Sequence, residues 1–566
     1  MSRARRERRA AEKQRAAARE PVEPEWLRYA PLLAALLAFL VYLPPTSCEF
    51  LYDDYEVIVL NPSIRSLADV GTVLRYEPSR PLLNLTWALN YAVGGAEKPW
   101  PYRLVNVLIH AGNAALLASL FYWMAVRLGR SDPRRLSLVG ACLFAVSPMA
   151  AETVAYVTSR STALVTLFSL ASLRVAVTVL AGAPRRRLLP AFGLFLLALG
   201  TKEEAASVPL LLVLLDYFFV ADQRWAALRQ RWRVHAPFVV MLPLGLMARR
   251  VMTGSWLPAP AIDPALYLLT QVAVFPLYFF RALIPLDPAF YRYHPPATWP
   301  PGSLTLLGAV ATAALAAFAV LRRRERPEWS FAIGALAIGL LPSSSVVALQ
   351  EMVVDHRAYL GGLGVAFALG GLLWRVGRWP LTIAVLLVLA GVSFRYQRIL
   401  SNEVRAWTDA VTRAPGSADA RSALGEAYAK HKDPRAEPSF KEAIRLDPKV
   451  ARYHANLGVY YSEAGRIAEA ADALREAVRR NPKDAALRNY LALLLQSLGK
   501  HDEAVAELEA AIAAEPRFAE ARIKLAALLI GRGQTERART LLFEAARLPI
   551  DPQQASEILQ LEGRLP

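Results

Sequence analysis

Two adjacent carboxylates, Asp53 and Asp54, stand in the stretch CEFLYDDYEVIVLNP, ten residues past the end of the first long apolar run at Leu43. Neighbouring carboxylates on a loop can divide labour: one accepts a proton from an incoming hydroxyl while the other orients the acceptor or holds a cation. Partial burial beside lipid raises such groups toward the working range of a general base. A plain solvated loop is the competing reading of the pair taken alone. No Gly-rich phosphate loop follows a strand pattern, no Cys or His cluster has metal spacing, and no nucleophile elbow is present. Cys48 and Cys142 are too few for a disulfide framework. His110 shares a helix face with Arg103 and Asn106, which reads as a polar contact between helices. Asn84-Leu85-Thr86 fits a glycosylation sequon but lies in an apolar block and reads as structural, and the aromatic segment Tyr291 to Pro296 suits a lid or an interfacial belt.

The elements that would carry the pair are membrane helices. The chain has 566 residues, 55% of them hydrophobic, and a formal net charge of +18. That apolar share exceeds the roughly 45–50% of soluble globular chains and disfavours a wholly soluble enzyme. Residues 402–566 hold 25 basic and 24 acidic side chains, so the positive excess belongs to the first 401 residues and gives no support to nucleic-acid binding. Apolar runs start near Trp26, Arg103, Leu136, Ser161, Leu188, Ala205, Val234, Ala265, Ser303, Trp329, Ala358 and Leu381, each approaching the roughly 20 residues that cross a hydrocarbon core. Between them lie arginine clusters at 127–135, 185–187, 224–233, 322–326 and 375–378, which the positive-inside rule assigns to cytoplasmic loops. Twelve crossings would push the Arg322 cluster outside. The run from Val234, ending at Arg249-Arg250, is therefore read as re-entrant or interfacial, leaving about eleven spans. This places the loop from Pro44 to Pro101, the turn from Ser147 to Arg160, Thr201 to Glu204, Asp287 to Pro301, Leu341 to Tyr359 and everything past Arg398 on the outer face.

After Asn402 the pattern changes to repeats. Leu457-Gly458, Tyr461, Ala470, Leu474, Ala477 and Pro482 recur 34 residues on as Leu491-Ala492, Leu495, Ala504, Leu508, Ala511 and Pro516, the spacing of tetratricopeptide repeats. Small residues let paired helices approach, large ones fill the groove between them, and proline ends the second helix.

The blocks SRPLLNLTWALNYAVGG, PYRLVNVLIHAGN, SPMAAETVAYVTSR, LGTKEEAASVP and DHRAYLGGLG, in that order and followed by the repeats, resemble the transmembrane and tetratricopeptide repeat O-mannosyltransferases and their bacterial relatives, which are GT-C glycosyltransferases. The resemblance implies transfer of a sugar from a polyprenyl-phosphate donor to a hydroxyl acceptor, a protein Ser or Thr, on the non-cytoplasmic side. It assigns the essential acidic pair to Asp53 and Asp54; Asp53 is the first choice of base with Asp54 close behind, and the sequence does not order them. Candidates for the donor phosphate are Lys202, Arg357, Arg160, Arg80 and His356, supported by the polar side chains Glu152, Glu203 and Asp355. Arginine offers a planar fork to phosphate and lysine a compact point charge. The competing readings are snorkelling to lipid headgroups for Arg80 and Arg160, and local ion pairs within Lys202-Glu203 and Asp355-His356-Arg357. His356 interrupts the acidic-Arg order usual in the relatives, which bears on the identity of the cation.

The expected architecture is all-α: a basic cytoplasmic tail over 1–25, a polytopic GT-C-like membrane domain over 26–400, a repeat solenoid over 401–550 and a tail over 551–566. The lipid-linked sugar is a substrate, not a cofactor. No obligatory cofactor is expected, and too few acidic ligands are apparent for an obligatory metal, although no residue decides the need for a divalent ion. The expected partners are membrane lipid and a protein or peptide acceptor in the solenoid groove. The expected location is the inner (cytoplasmic) membrane, with the N-terminus cytoplasmic and the solenoid on the periplasmic side. A non-catalytic membrane-anchored scaffold, with the solenoid as its working part, is the alternative. A transporter is disfavoured because the membrane half shows no internal repeat.

Overall fold

The computed structural model describes residues 24–95, 98–253, 255, 262–344, 348–349 and 351–565, so the tail read at 1–25 lies almost wholly outside the described residues. Every regular element among them is helical, and the chain divides into two compact units, Met1–Ala406 and Trp407–Pro566.

In the first unit, seven helices among the described residues are long and apolar enough to cross a bilayer: Glu25–Tyr42, Pro99–Arg127, Arg160–Leu180, Trp232–Val251, Pro264–Leu283, Ser303–Leu321 and Trp379–Ile399. The bent pair Pro133–Ala145 and Pro148–Ala155 brings the number to eight. The remaining apolar runs also form helices, but shorter ones: Leu188–Leu199, Val208–Phe219, Pro327–Leu340 and Gly362–Val376. Length alone therefore supports fewer full spans than the eleven expected. Non-helical backbone at membrane depth is tolerated where protein covers it, so an interior helix need not be full length. Gly362–Val376 is such an interior helix. A Cβ on Gly370 would lie 2.7 Å from the Gly140 Cα, and one on Gly364 equally close to the Ala332 Cα, so its backbone meets two neighbours directly.

The arginine clusters at 127–135, 322–326 and 375–378 converge on one end of this unit. Buried Glu328 takes ion pairs from both Arg130 and Arg375, the latter at 3.2 Å. Gln223 Nε2 donates to the Arg323 carbonyl at 2.8 Å.

A segment that turns back lies downstream of the run read as re-entrant or interfacial. Trp232–Thr253 forms a continuous helix. Pro264–Leu283 instead runs parallel to Ser303–Leu321: Thr312 Oγ1 donates to the Val272 carbonyl at 2.6 Å, Gly308 abuts Ala273, and Phe279 shares a recess with Leu315 and Phe318. Two consecutive parallel helices need a return path, and residues 284–302 supply it in extended form, with Ala297 N–H donating to Thr270 Oγ1 at 2.8 Å. Six prolines between Pro285 and Pro301 keep this return out of helix. The arginine pair at 249–250 carries no sign of this, because the return is made by the polar, proline-rich segment downstream. The Arg322 cluster still falls at the Glu328 end.

The second unit stacks helix pairs: Ala418–Lys430 with Ala436–Leu446, Ala451–Glu463 with Ile467–Arg480, Ala485–Ser497 with His501–Ala514, and Ala519–Gly531 with Thr535–Ala546. Gly465, Gly499 and Gly533 turn the chain inside successive pairs with φ of 74°, 73° and 74°, a left-handed conformation that glycine adopts freely. Lys432 makes the same turn in the first pair at φ 54°. The tail expected at 551–566 is instead a further helix, Pro552–Glu562, that buries Ile558 and Leu561. Asp551 and Gln554 form a capping box around its first turn, satisfying two otherwise orphaned donors.

Candidate functional site

The loop after the first helix gives the two carboxylates opposite environments. Tyr52 has φ 39°, a left-handed conformation costing a non-glycine residue roughly 1–2 kcal/mol. Directly after it, Asp53 is exposed while Asp54 is fully buried. The Asp54 carboxylate accepts from Leu51 N–H at 3.0 Å, Thr158 N–H at 2.8 Å and the Thr158 hydroxyl at 2.6 Å. Burial nevertheless lifts its pKa to about 6, against the lowering effect of those bonds and of Arg103. Asp53 is fixed through its backbone, its N–H donating to the Tyr156 hydroxyl at 3.1 Å. Loss of solvent raises its pKa, and the charges of Glu56 and Glu351 add to this while Tyr156 opposes it. The pair that sequence could not order is thus ordered by burial. Asp54 shapes the loop and Asp53 presents a carboxylate.

The expected cations separate in the same way. Arg160 is fully buried, with all three guanidinium nitrogens engaged: Nε with Asn106 Oδ1 at 2.9 Å, Nη1 with the Thr86 carbonyl at 3.2 Å, and Nη2 with Asn90 Oδ1 at 2.7 Å and the Tyr102 carbonyl at 2.8 Å. It is a strut between helices, and the phosphate reading does not fit it. Arg80 pairs with Glu203 at 3.2 Å. Lys202 pairs with Glu204 at 2.7 Å, not with the expected Glu203, and donates to Thr162 at 2.9 Å. His356 Nδ1 lies 2.7 Å from Glu152, joining segments 149–155 and 355–358. Asp355 does not pair with its neighbours in sequence. It takes Arg281 at 2.6 Å and accepts from Ala289 N–H at 3.1 Å, anchoring the extended return. Arg357 is 5% exposed, and its contacts are long, 3.4 Å to the Tyr267 hydroxyl and 3.8 Å to Glu351.

Residues 149–162, 202–204 and 351–357 therefore gather around the acidic loop. Thr158 holds Asp54 and Thr162 holds Lys202 one turn later, while Glu351 acts on both Asp53 and Arg357. His110 makes the interhelical contact expected of it, with Nδ1 2.6 Å from the Tyr359 hydroxyl and Nε2 3.1 Å from the Ala145 carbonyl. Arg103, seven residues before His110 on the same helix face, is a site residue that the sequence marks only by that shared face.

A mostly apolar groove of about 430 Å³ opens beside this cluster. Met149, Ala150, Leu286, Ala358, Tyr359 and Leu373 are among its walls, so it begins next to Glu152, His356 and Arg357 and continues along apolar helix faces. The second unit has its own recess of about 750 Å³, lined by Glu426, Lys430, Lys432, Phe440, Asn456 and Tyr460 among others.

Residues 434–485 and 495–565 match models of the tetratricopeptide repeat. The C-terminal unit is built of tetratricopeptide repeats. Over this repeat region the chain is 30% identical to the human protein O-mannosyl-transferase TMTC4 across 164 residues, covering 25% of this chain and 22% of that protein. It is 34% identical to the Drosophila melanogaster protein O-mannosyl-transferase Tmtc2 across 145 residues, 23% of this chain and 15% of that protein. The chain thus spans less than a quarter of the length of these curated relatives. The crystal structure of MamA is 24% identical, with a TM-score of 0.24, covering 28% of this chain and 89% of MamA. The similarity to the O-mannosyl-transferases lies in the tetratricopeptide repeats, so the chemistry of the membrane unit is argued from its own side chains.

Proposed function

We propose that the protein is a membrane glycosyltransferase moving a sugar, mannose by likeness to its relatives, from a polyprenyl-phosphate donor to a hydroxyl of a protein acceptor. The observation that carries this reading is the exposed carboxylate of Asp53, presented over a buried Asp54 beside cations and an apolar groove. Asp53 takes the proton of the acceptor hydroxyl as its oxygen attacks the anomeric carbon, and the bond to the donor phosphate breaks. Arg357 and Lys202 stabilise the charge that develops on the leaving phosphate. Arg357 is the better ligand because its protein contacts are long, whereas Lys202 is closely paired with Glu204. The groove takes the prenyl chain, and the tetratricopeptide repeats bind the acceptor. The lipid-linked sugar is a substrate, and the side-chain cations serve the phosphate without an obligatory metal. The positive-inside rule puts the arginine-rich end in the cytoplasm, and Asp53 and the repeats on the outer, periplasmic face.

The test is label transfer from polyprenyl-phosphate mannose to protein in membranes containing the chain. Asp53→Asn should insert normally and lose at least about a hundredfold in rate, the low end of a general-base contribution. Wild-type transfer by Asp53→Asn would overturn the assignment and leave the repeats as the working part of a scaffold.

A further inference from the structure

The acidic loop is tied to the segment through which the chain leaves the membrane unit. Tyr52 N–H donates to Glu403 Oε1 at 3.1 Å. Glu49 N–H donates to the Ser401 carbonyl at 2.9 Å, and the Glu49 carboxylate accepts from Asn402 Nδ2 at 2.8 Å and from Glu403 N–H at 3.0 Å. Arg103 closes the set, its Nη2 donating to the carbonyls of Glu49 at 2.7 Å and Leu400 at 2.9 Å. Six hydrogen bonds thus join or bracket two short stretches, 49–52 and 400–403, that are some 350 residues apart in sequence. Arg103 and Glu403 are 1% and 2% exposed. Burying charged groups this deeply makes the loss of any contact they do make expensive, so these bonds hold the turn in place.

That geometry is the strained one. A left-handed Tyr52 persists only where its surroundings over-determine it, and the acceptor that fixes its amide is the Glu403 carboxylate. Relaxing Tyr52 rotates the following peptide, which carries Asp53 and the N–H that meets Tyr156.

We propose that Glu403, supported by Glu49 and Arg103, is a positioning residue that holds Tyr52 in its left-handed turn and so aims Asp53. This rests on the sugar-transfer reading above. Its consequence is that the acidic pair acts correctly only while the exit segment at 400–403 is in place.

The experiment compares full-length Glu403→Ala and Glu403→Gln with wild type in membranes, using two readouts. The first is amide hydrogen exchange of the peptide containing Tyr52. Glu403→Ala should accelerate it, Glu403→Gln should leave it near wild type because the amide oxygen still accepts, and exchange in the 160–180 helix should be unchanged in both. The second is transfer from polyprenyl-phosphate mannose. Glu403→Ala should lower kcat by at least about tenfold with donor KM within about twofold, as small misplacements of a reacting group do, and Glu403→Gln should restore most of it. A wild-type kcat in Glu403→Ala despite a loosened loop overturns the positioning role, as does unchanged exchange at Tyr52. A loosened loop together with a wild-type protein inert toward polyprenyl-phosphate mannose overturns the transfer reading instead, leaving the tie as a structural anchor.

Discussion

The membrane unit and the repeat unit use polar residues in opposite ways. In the repeats, charged side chains meet on the surface, both within one helix, as Arg445 does with Glu442, and between neighbouring repeats, as Arg475 does with Glu503. In the membrane unit the polar side chains are buried and their partners are remote, as Arg160 is 54 residues from Asn106 and 70 from Asn90. Exposed local pairs contribute little because water screens them and competes for them. Buried groups are expensive to leave unpaired. The repeat fold therefore rests on its small-residue packing and the membrane site on its hydrogen bonds.

The largest effect that would break this contrast is at the strut. Arg160→Ala strips the donors from Asn106, Asn90 and two carbonyls at once, and it should destabilise the membrane unit by more than about 3 kcal/mol, because each buried acceptor left unsatisfied costs about 1–3 kcal/mol. Detergent-solubilised protein should show a large fall in the unfolding temperature of that unit, with the repeats unaffected. A near-normal transition would mean that Arg160 is solvated in the native state.

Thr158→Val is the intermediate case. It removes one bond to a charged acceptor, about 1.5–3 kcal/mol, and the loss falls on the ionised form of Asp54, so the pKa rises above about 6. The sign follows from linkage. A carboxyl whose folded pKa exceeds its unfolded value favours the fold most when protonated, so this contribution is present below about pH 4 and is lost as pH rises through about 6. Activity runs the other way, because Asp53 must be ionised to accept a proton and the ionised form of Asp54 holds Thr158 more strongly than the neutral acid does. Transfer should rise with pH through about 6 in wild type, and the midpoint should move upward in Thr158→Val. A pH profile that ignores the substitution would detach Asp54 from the reaction.

The smallest effect is in the repeats. Gly465→Ala places a Cβ in a left-handed turn, costing about 1–2 kcal/mol. Hydrogen exchange should speed up in helices Ala451–Glu463 and Ile467–Arg480 while label transfer to a saturating acceptor stays unchanged. Loss of transfer would show that the membrane site depends on the integrity of that repeat.

The two units also differ in how much was legible in the sequence. The repeat unit was legible almost completely, since a 34-residue period specifies helices, turns and packing through neighbours only. Its one misreading was the final helix, where Asp551, Pro552 and Gln554 already spelled a helix start. In the membrane unit the apolar runs were legible as helices. The return path after Leu283 was not, because hydropathy marks a segment as apolar without saying which way the chain leaves it.

Residue order was enough for the all-helical class, the repeats, the location of the arginine clusters and the candidacy of Asp53 and Asp54, because each depends on composition or on spacing within a short window. Folding alone decided that Asp54 is buried and Asp53 exposed, that Arg160 is a strut, and that Glu403 fixes the amide before the acidic pair. These are consequences of which distant surfaces exclude water from which side chain, and burial of that kind is a property of the assembled bundle.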